Sequence, residues 1–317
     1  MKKIPQQDKK PLLVFLVGPT ACGKSEIAVH LAKRLNAEVI GCDSMQVYRR
    51  MGIITSAPRT GLRKLVKHHL VSFLPPAKEY SVWQYRLDAL SKIKAVIEKK
   101  HIPLLVGGTG LYITVLIDGI FKAGAENKKL RQRLYKQALE FGSSAMHERL
   151  KKVDPRAAGK IHPNDTRRIV RALEVFEAEG LPISQLQKQR RGLSGDYDLE
   201  IFCLDMERGA LYNRIDRRVD QMFSQGLVRQ AKRLLKSKLS KTAGFAIGLR
   251  EVKGYLDGAY DLEEAKRLIK RNSRQYAKRQ LTWFRKDKRI RWIEVREKES
   301  PQLIARRIIS LAGLEKN

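Results

Sequence analysis

Short apolar runs recur along the first 120 residues, and each one ends at a glycine or a polar residue. Three of them have the length of one buried strand: Leu12 to Val17, Glu38 to Cys42 and Pro103 to Val106. Apolar residues at helical spacing follow the first run as far as Leu35, and a second helical pattern spans Ser81 to Lys99. Repeated β–turn–α units of this kind predict a parallel sheet with helices on both faces.

The pattern changes after the third run, and no convincing strand occurs between Ala123 and Gln189. Apolar residues recur there at helical spacing, with Asp165 as a candidate N-cap and Gly180 as a candidate stop. On an ideal helix three arginines lie roughly opposite the apolar side: Arg167, Arg168 and Arg171. This segment is interpreted as a helical subdomain with a cationic face, and Gly192 to Asp198 as the linker that returns to the sheet.

The last third of the chain combines one strand with basic helices. Leu199 to Asp205 is predicted as a strand of the same sheet, and Arg214 and Arg218 flank the apolar stripe of the helix that follows. These two arginines either point into a cleft or lie at the surface with buried aliphatic stems.

A second helix, predicted from Leu262 to Arg285, carries five cations in one narrow stripe: Arg267, Arg271, Arg274, Lys278 and Arg285. The apolar positions Ala265, Ile269, Tyr276 and Trp283 fall on the opposite side. A solvated helix normally mixes acids with its bases, and none is assigned to this stripe. The stripe is therefore expected to suit a phosphate backbone.

The most specific motif follows the first predicted strand. Its eight residues fit G-x-x-x-x-G-K-[ST]: Gly18, Pro19, Thr20, Ala21, Cys22, Gly23, Lys24 and Ser25. Strand, glycine-rich loop and helix are the context in which this motif binds phosphate, because the loop amides and the helix start point at an anion. Lys24 adds a full positive charge, and the Ser25 hydroxyl is suited to hold Mg²⁺. The motif predicts a site for a di- or triphosphate, without saying whether that molecule is a nucleotide.

The patterns together predict an α/β fold, a P-loop NTPase-like parallel sheet flanked by helices with an inserted all-helical subdomain. The first part of the core is expected to span residues 1–122 and the helical insertion residues 123–197. The second part of the core, with the basic helix, is expected to span residues 198–317. A chain of 317 residues is long enough for a large domain and a smaller one.

Charge points to a polyanionic partner. Lys and Arg total 65 against 33 Asp and Glu, which gives a formal net charge of +32. Nucleic acid is the first candidate partner, an anionic membrane surface the second, and a solvated basic surface without a partner the third possibility. Three scattered cysteines form no C-x-x-C pair, which favours a reducing cytoplasm, and no segment has the length needed to span a bilayer.

Polar residues follow two more of the predicted strands, at Asp43 to Gln46 and at Gly107 to Tyr112. In an open parallel sheet these loops and the phosphate loop converge at one edge, so Asp43, Gln46 and Thr109 are expected near the bound phosphate. One carboxylate beside a pyrophosphate suits a displacement in which Asp43 takes a proton from the nucleophile. The alternatives for Asp43 are a strand-end cap or an outer ligand of Mg²⁺.

Seven segments in a fixed order resemble the tRNA dimethylallyltransferase family, also called tRNA isopentenyltransferases. They are GPTACGKS, DSMQVYR, HHL, YSVWQY, PLLVGGTGLY, IHPNDTRRIVRALEV and RQYAKRQLTWFR. The resemblance implies transfer of a dimethylallyl group from dimethylallyl pyrophosphate to the exocyclic amine of the adenosine just 3′ of a tRNA anticodon. It also implies that the phosphate loop holds the pyrophosphate of the donor with Mg²⁺, and that the partner is the anticodon stem-loop.

The resemblance also assigns roles to residues of this chain. Asp43 would be the general base, and Thr20 and Arg218 would act on the pyrophosphate. Ser44, Met45 and Gln46 would lie beside the target base. Further tRNA contacts would come from Thr109, Arg131, Arg167, Arg168, Ile169, Val170 and Arg171. A cytoplasmic monomer without a membrane partner is expected.

The chain departs from the family pattern at two positions. Ser72 stands where an acid usually follows the HHL motif, and Leu249 stands where a tyrosine is common. Two other functions stay open at this point. A small-molecule kinase using ATP would fit the phosphate loop and the strand that ends at Asp205, but would leave the net charge unexplained. A nucleotide-switched nucleic-acid-binding protein would need a base-reading motif, and no N-K-x-D occurs.

Overall fold

Six strands form one sheet in the computed structural model, which describes residues 10–121 and 127–315. The strands are β1 (Leu12–Val17), β2 (Ala37–Cys42), β3 (His68–His69), β4 (Ile102–Gly107), β5 (Asp198–Asp205) and β6 (Arg291–Glu294). Their order is β3-β2-β4-β1-β5-β6, and every neighbouring pair is parallel. Since parallel strands need crossover connections, helices cover both faces, and the predicted α/β fold is confirmed.

The helices begin with α1 (Lys24–Leu35), α2 (Gly52–Thr55), α3 (Thr60–Leu65), α4 (Val82–Glu98) and α5 (Gly110–Ile117). The helical segment contains α6 (Lys128–Val153), α7 (Pro155–Ala158), α8 (Thr166–Glu179) and α9 (Ile183–Leu186). The remaining helices are α10 (Arg208–Ser224), α11 (Leu227–Leu235), α12 (Lys241–Gly244), α13 (Leu249–Leu256), α14 (Leu262–Phe284) and α15 (Pro301–Leu311). Asp165 caps α8 as the sequence predicts, and Ser81 and Asp261 cap α4 and α14 in the same way, each accepting from a backbone N–H group.

Successive side chains of β2 point to opposite faces of the sheet, and different helices cover the two faces. Ala37 and Val39 join a core cluster with residues of α1 and α15. Cys42 points to the other face, where the hydroxyl of Tyr85 in α4 donates to its sulfur at 2.9 Å. Tyr85 in turn stacks on Tyr112 of α5, with ring centroids 3.7 Å apart. The sheet is therefore enclosed by α1 and α15 on one face and by α4 on the other.

The chain divides into two compact units. One comprises residues 1–115 and 196–317, and the other residues 116–195. In the second unit every regular element is helical, as far as residues 127–195 are described, and α6 packs on α8 around Leu134, Leu150, Ile169 and Leu173. The predicted boundary between residues 122 and 123 lies outside the described residues, so the predicted boundaries stay a prediction.

Several elements were not predicted from the sequence, among them β3, β6 and α15. β3 has only two residues, and β6 has the exposure pattern of an edge strand, with Ile293 alone fully covered. α15 lies near the end of the chain and packs Ile304 and Ile308 against α1. Short edge strands have too few residues for an alternation to be read, and their pairing depends on a neighbour that is distant in sequence. No helix in the described part of the chain is long and apolar enough to cross a bilayer.

A buried carboxylate joins β2, β3 and the segment before β4. Glu38, whose side chain is 7% exposed, accepts from His69 Nε2 at 2.6 Å and from His101 Nδ1 at 3.0 Å, with Lys99 Nζ at 3.4 Å. Burial by itself would raise the pKa of Glu38, but the two histidine hydrogen bonds and the charges of His69 and Lys99 outweigh it and lower the pKa to about 2.

Replacing Glu38 by glutamine should lower the free energy of unfolding by about 2 kcal/mol near neutral pH, because the charge-assisted bonds are lost. Because the folded pKa is depressed, the wild-type advantage is fully present above about pH 4.5 and is lost as the pH falls toward 2. Urea unfolding at several pH values measures this difference. Glu98→Gln removes an exposed carboxylate and is the matched control, since its pair with Lys94 spans 4.0 Å at the surface. A Glu38→Gln deficit that does not shrink in acid would contradict the linkage.

Candidate functional site

The glycine-rich segment forms a tight loop between β1 and α1. Ala21 and Gly23 adopt left-handed backbone conformations, with φ of 67° and 88°, and Gly23 directly precedes the first residue of α1. The ammonium group of Lys24 donates to the carbonyl oxygens of Gly18 at 3.0 Å and Pro19 at 2.6 Å. The side chain of Cys22 is fully buried, so only its backbone is available to a ligand. The loop, the helix start and the lysine together form an anion-binding geometry.

A glutamine from α14 ties this loop to the loop after β4. Gln280 is 5% exposed, and its Oε1 accepts from the backbone N–H of Thr20 at 2.8 Å. Its Nε2 donates to the carbonyl of Gly108 at 2.8 Å. A Cβ at Gly108 would lie 2.2 Å from the Gln280 amide, and a Cβ at Gly110 would lie 2.4 Å from the Trp283 ring. The two glycines therefore let α14 cross the carboxyl edge of the sheet in close contact.

Asp43 follows β2 and forms a turn with its own loop. Its Oδ1 accepts from the backbone N–H groups of Met45 at 2.9 Å and Gln46 at 3.2 Å. Within the described residues, Oδ2 has no hydrogen-bond donor. The carboxylate is thus held by one oxygen, and the other is available to a ligand.

Thr109 connects the loop after β4 with the Asp43 loop. Its Oγ1 accepts from the backbone N–H of Ser44 at 2.9 Å and donates to the Ser44 hydroxyl at 3.3 Å. Tyr276 of α14 lies close to Thr109 and to the Asp43 carboxylate. Burial raises the pKa of its hydroxyl, and the negative charge of Asp43 raises that pKa further. The three loops of the sheet edge and α14 therefore converge, as the sequence predicts for the loops.

Arg218 reaches the phosphate loop from α10. Its Nη1 donates to Thr20 Oγ1 and its Nε to Ser56 Oγ, each at 2.8 Å. Burial lowers the pKa of the guanidinium, and the nearby Asp43 carboxylate opposes that shift. Arg214, one turn earlier, donates to the carbonyl of Glu297 at 2.9 Å, and its Nη1 would lie 3.8 Å from a Cβ at Gly23, without a hydrogen bond to Thr20. Of the two alternatives for these arginines, the structure places Arg218 in the cleft beside the loop.

The arginines proposed for the helical unit are partly engaged with acids of that unit. Arg131 and Arg171 both bind Oε2 of Glu174, a buried carboxylate, at 2.8 and 2.9 Å. Arg168 pairs with Asp165 at 3.4 Å. Arg167 is exposed and makes no ion pair with any described residue. The predicted face is cationic, but part of its charge is neutralised.

Two residues of that predicted surface need correction. Ile169 is fully buried and Val170 is 1% exposed, both in the core of the helical unit. Their side chains stabilise α8 against α6 and are not available to an RNA. The reason is the helical period, which turns every third or fourth residue of a continuous segment inward.

The stripe on α14 differs from the prediction in two respects. Arg267 is bound by both oxygens of Glu264 at 2.6 Å, and Arg274 pairs with Asp216 of α10 at 3.3 Å. The expectation that acids are absent from this side was therefore wrong. Arg271, Lys278 and Arg285 make no ion pair to a carboxylate in the ranges described. Trp283, expected on the packed side, is 38% exposed, and the buried positions are Ala265, Ile269, Ala277, Gln280 and Phe284.

Sequence reasoning missed Gln280, Ser56 and the role of Tyr276 at the site. Gln280 carried a usable signal, since it is a polar residue at a position where the period of α14 demands burial. Ser56 carried none, because it reaches Arg218 from a loop 162 residues away in sequence.

The side chains that could hold a metal ion at the site offer oxygen atoms as ligands. No cluster of three or more His, Cys, Asp or Glu side chains suited to a metal occurs within the described ranges. The Ser25 hydroxyl, in the first turn of α1, has no hydrogen-bond partner among the described residues, so its lone pairs are available.

Known family models and curated proteins match most of this chain. The profile described as IPP transferase matches residues 46–287, and a profile described as isopentenyl transferase matches residues 12–70. The tRNA dimethylallyltransferase of Natranaerobius thermophilus is 44% identical over 299 residues, which cover 93% of this chain and 89% of that protein. That of Carboxydothermus hydrogenoformans is 45% identical and covers 95% of this chain and 97% of its own.

Solved structures give the same result. The tRNA isopentenylpyrophosphate transferase of Bacillus halodurans is 41% identical, with a TM-score of 0.71 over 96% of this chain and 97% of that one. A eukaryotic dimethylallyltransferase described as acting on tRNA is 27% identical, with a TM-score of 0.81 over 96% of this chain and 79% of that one.

Proposed function

This chain belongs to the IPP transferase family, and from that premise we propose which reaction its site performs. The enzyme is a tRNA-modifying prenyltransferase. It takes a dimethylallyl group from dimethylallyl pyrophosphate and attaches it to the exocyclic N6 amine of the adenosine 3′-adjacent to the anticodon, releasing diphosphate. The observation that carries the proposal is the convergence of a phosphate loop, Arg218 and Asp43 at one edge of the sheet.

The phosphate loop is proposed to hold the pyrophosphate of the donor. Backbone amides of the Gly18–Ser25 loop and the start of α1 present partial positive charge, and Lys24 contributes a full charge beside them. Because pyrophosphate gains negative charge as the allylic bond breaks, these groups stabilise the transition state more than the ground state.

Asp43 is proposed as the general base. The neutral amine of adenine is a weak nucleophile, and it must lose a proton as its bond to the allylic carbon forms. Oδ1 is occupied by two backbone N–H groups, so the carboxylate is fixed while Oδ2 can accept that proton. The adenine has to leave its stack to reach this edge of the sheet, which an anticodon loop allows at low cost.

Arg218 and Thr20 are proposed to act together on the leaving group. The guanidinium is oriented by two hydroxyls, Thr20 and Ser56, and therefore needs little rearrangement when charge develops on the pyrophosphate. Thr20 is itself positioned by the amide of Gln280. We infer that Gln280 is a positioning residue.

Mg²⁺ is proposed as the cofactor, and the residues of the site fit it. Mg²⁺ prefers oxygen ligands and usually keeps several waters, so one protein hydroxyl together with phosphate oxygens is a sufficient donor set. Ser25 is the residue that would hold it. When bound, the ion would neutralise charge on the departing pyrophosphate.

The surface for tRNA is proposed to include the cationic side of α14, where Arg271, Lys278 and Arg285 are unpaired within the described ranges, and the arginine face of the helical unit. The enzyme is proposed to act as a cytoplasmic monomer. Size-exclusion chromatography with light scattering tests that state, and a dimer mass would contradict it.

Arg271→Gln should weaken tRNA binding several-fold and lower the slope of log Kd against log salt by about one. Arg267→Gln is the matched control one turn away, because its guanidinium is already neutralised by Glu264. Binding is measured by anisotropy of labelled tRNA over a series of salt concentrations. Equal losses of tRNA affinity in both variants would show that pairing with Glu264 does not determine how much an arginine of α14 contributes to tRNA binding.

The test of the function is a transfer assay. Unmodified tRNA and dimethylallyl pyrophosphate labelled in the prenyl group are mixed with the enzyme, and the label should appear on the adenosine next to the anticodon. A tRNA with guanosine at that position is the control. Hydrolysis of ATP without transfer of label would favour a kinase or a nucleotide-driven switch instead. The family membership does not favour either of these.

A further inference from the structure

A second cleft lies beyond the ends of β5 and β6 and encloses about 610 Å³. Its walls are the start of α10, the last two turns of α14 and the last residues of the two strands. No residue of the phosphate loop or the Asp43 loop lines it. On a helix with 100° per residue, the cleft-lining positions 278, 281, 282 and 285 of α14 are centred about 180° from the site-facing positions 276, 280 and 283. The cleft is therefore on the opposite side of α14 from the proposed reaction site.

Aromatic rings and cations are paired in this cleft. The guanidinium of Arg208 lies 5.3 Å from the centroid of the Tyr212 ring, and that of Arg274 lies 5.7 Å from the same ring. The guanidinium of Arg285 lies 6.0 Å from the centroid of the Trp292 ring, which is 36% exposed. A flat, partly exposed ring beside cations can stack on a second planar ring and leave the cations for an attached anion.

Three carboxylates line the cleft, those of Asp205, Glu207 and Glu294, and among the described residues none of them forms an ion pair with a cation of the cleft. Glu207 Oε2 accepts from the backbone N–H of Ala210 and caps α10, and backbone hydrogen bonds lower its pKa. Asp205 Oδ1 accepts from the backbone N–H of Met206 at 3.0 Å. Neither Lys278 nor Arg285 has a carboxylate partner within the described part of the chain. The cleft thus offers unpaired cations at one wall and carboxylate acceptors at the other.

This combination selects a particular ligand chemistry. A bare phosphate would be repelled by the carboxylates, and an acyl chain would leave the charged walls unpaired. A nucleotide can contact the rings, the carboxylates and the cations of the cleft together. Its base stacks on an aromatic ring, its exocyclic amine donates to a carboxylate, and its phosphate binds the cations. We propose that this cleft binds one nucleotide, with the base stacked on Trp292 and the phosphate against Lys278 and Arg285.

Two sources supply that chemistry, a nucleotide of the tRNA or a free nucleoside monophosphate. Only the first rests on the proposed function. In that case the unpaired cations of α14 lead the RNA backbone into the cleft while the target adenosine is bound on the other side of the helix. The cleft would then be an additional contact that fixes the tRNA.

The test uses two ligands and no prenyl donor. Affinity for unmodified tRNA is measured by anisotropy at fixed salt. Affinity for radiolabelled adenosine 5′-monophosphate is measured by equilibrium dialysis, with saturating inorganic pyrophosphate present to fill the phosphate loop. The variants are Trp292→Ala, Trp292→Phe and the double variant Lys278→Gln/Arg285→Gln. Lys94→Gln/Lys238→Gln removes two exposed charges elsewhere on the same unit and is the matched control.

With tRNA as the source, Trp292→Ala and the double variant should each raise the Kd for tRNA roughly tenfold, whereas Trp292→Phe and the control stay within about twofold. With a free nucleotide as the source, wild-type enzyme binds adenosine monophosphate despite pyrophosphate, and the same two variants lose that binding. Unchanged affinity for both ligands in Trp292→Ala would overturn the proposal, because loss of the two α14 charges weakens tRNA binding whether or not the cleft holds a nucleotide. Because no donor is present, failure of the transfer assay would reject the proposed function without touching this result.

Discussion

Replacing Asp43 by asparagine should lower the single-turnover rate of dimethylallyl transfer by roughly a thousandfold, the scale of an enzymatic general base. Asparagine retains an oxygen that can accept from Met45 and Gln46, so the turn at the end of β2 persists. It cannot take a proton from the adenine amine. The Kd for tRNA should stay within about threefold of the wild-type value.

The pair of variants Asp43→Asn and Asp43→Ala separates the general-base role of Asp43 from that of a strand-end cap. If Asp43 is only a strand-end cap, alanine should disable the enzyme by releasing the turn, and asparagine should leave transfer nearly intact. If Asp43 is the base, both variants lose transfer activity, and circular dichroism should show that the Asp43→Asn variant is folded like the wild type. A normal transfer rate in Asp43→Asn would reject the assignment.

Arg218→Gln should reduce the rate of transfer by about a hundredfold, which corresponds to about 3 kcal/mol of transition-state stabilisation. The charge next to the phosphate loop is lost, and the hydroxyls of Thr20 and Ser56 lose their shared donor. Arg218→Lys should recover only part of the rate, because an ammonium group cannot reproduce the geometry of two guanidinium nitrogens. Rapid-quench assays with saturating substrates measure the effect.

The control for this prediction is a neighbouring arginine of the same helix. Arg217→Gln removes the same charge from α10, but its guanidinium pairs with Glu297 at 2.8 Å and makes no hydrogen bond to the phosphate loop among the described residues. Its rate should stay within about threefold of wild type. A similar loss in both variants would show that Arg218 acts through the general field of α10 and not through its contact with Thr20. Ser56→Ala, with one hydrogen bond lost, should be intermediate.

For α14, helical periodicity predicted the helix and its stripe of cations, but not which of the cations form ion pairs. The helix was expected from Leu262 to Arg285 and spans Leu262–Phe284, with its stripe of cations in place. Which of these cations are unpaired could not be read from the sequence. Asp216, the partner of Arg274, belongs to another helix 58 residues earlier. Glu264, the partner of Arg267, is local and could have been found from the i,i+3 spacing.

The chain's own sequence determined the strands of the sheet centre, the phosphate loop, the loops that carry Asp43 and Thr109, and the family. These features are local, since each depends on residue order within a few turns or on a motif of adjacent residues. Tertiary structure alone decided that Arg218 meets Thr20 and that Gln280 bridges two loops. It also decided that a cleft forms behind α14. The physical reason is that these contacts join residues 172 to 260 positions apart, and only packing of the whole sheet and its helices brings them within hydrogen-bond distance.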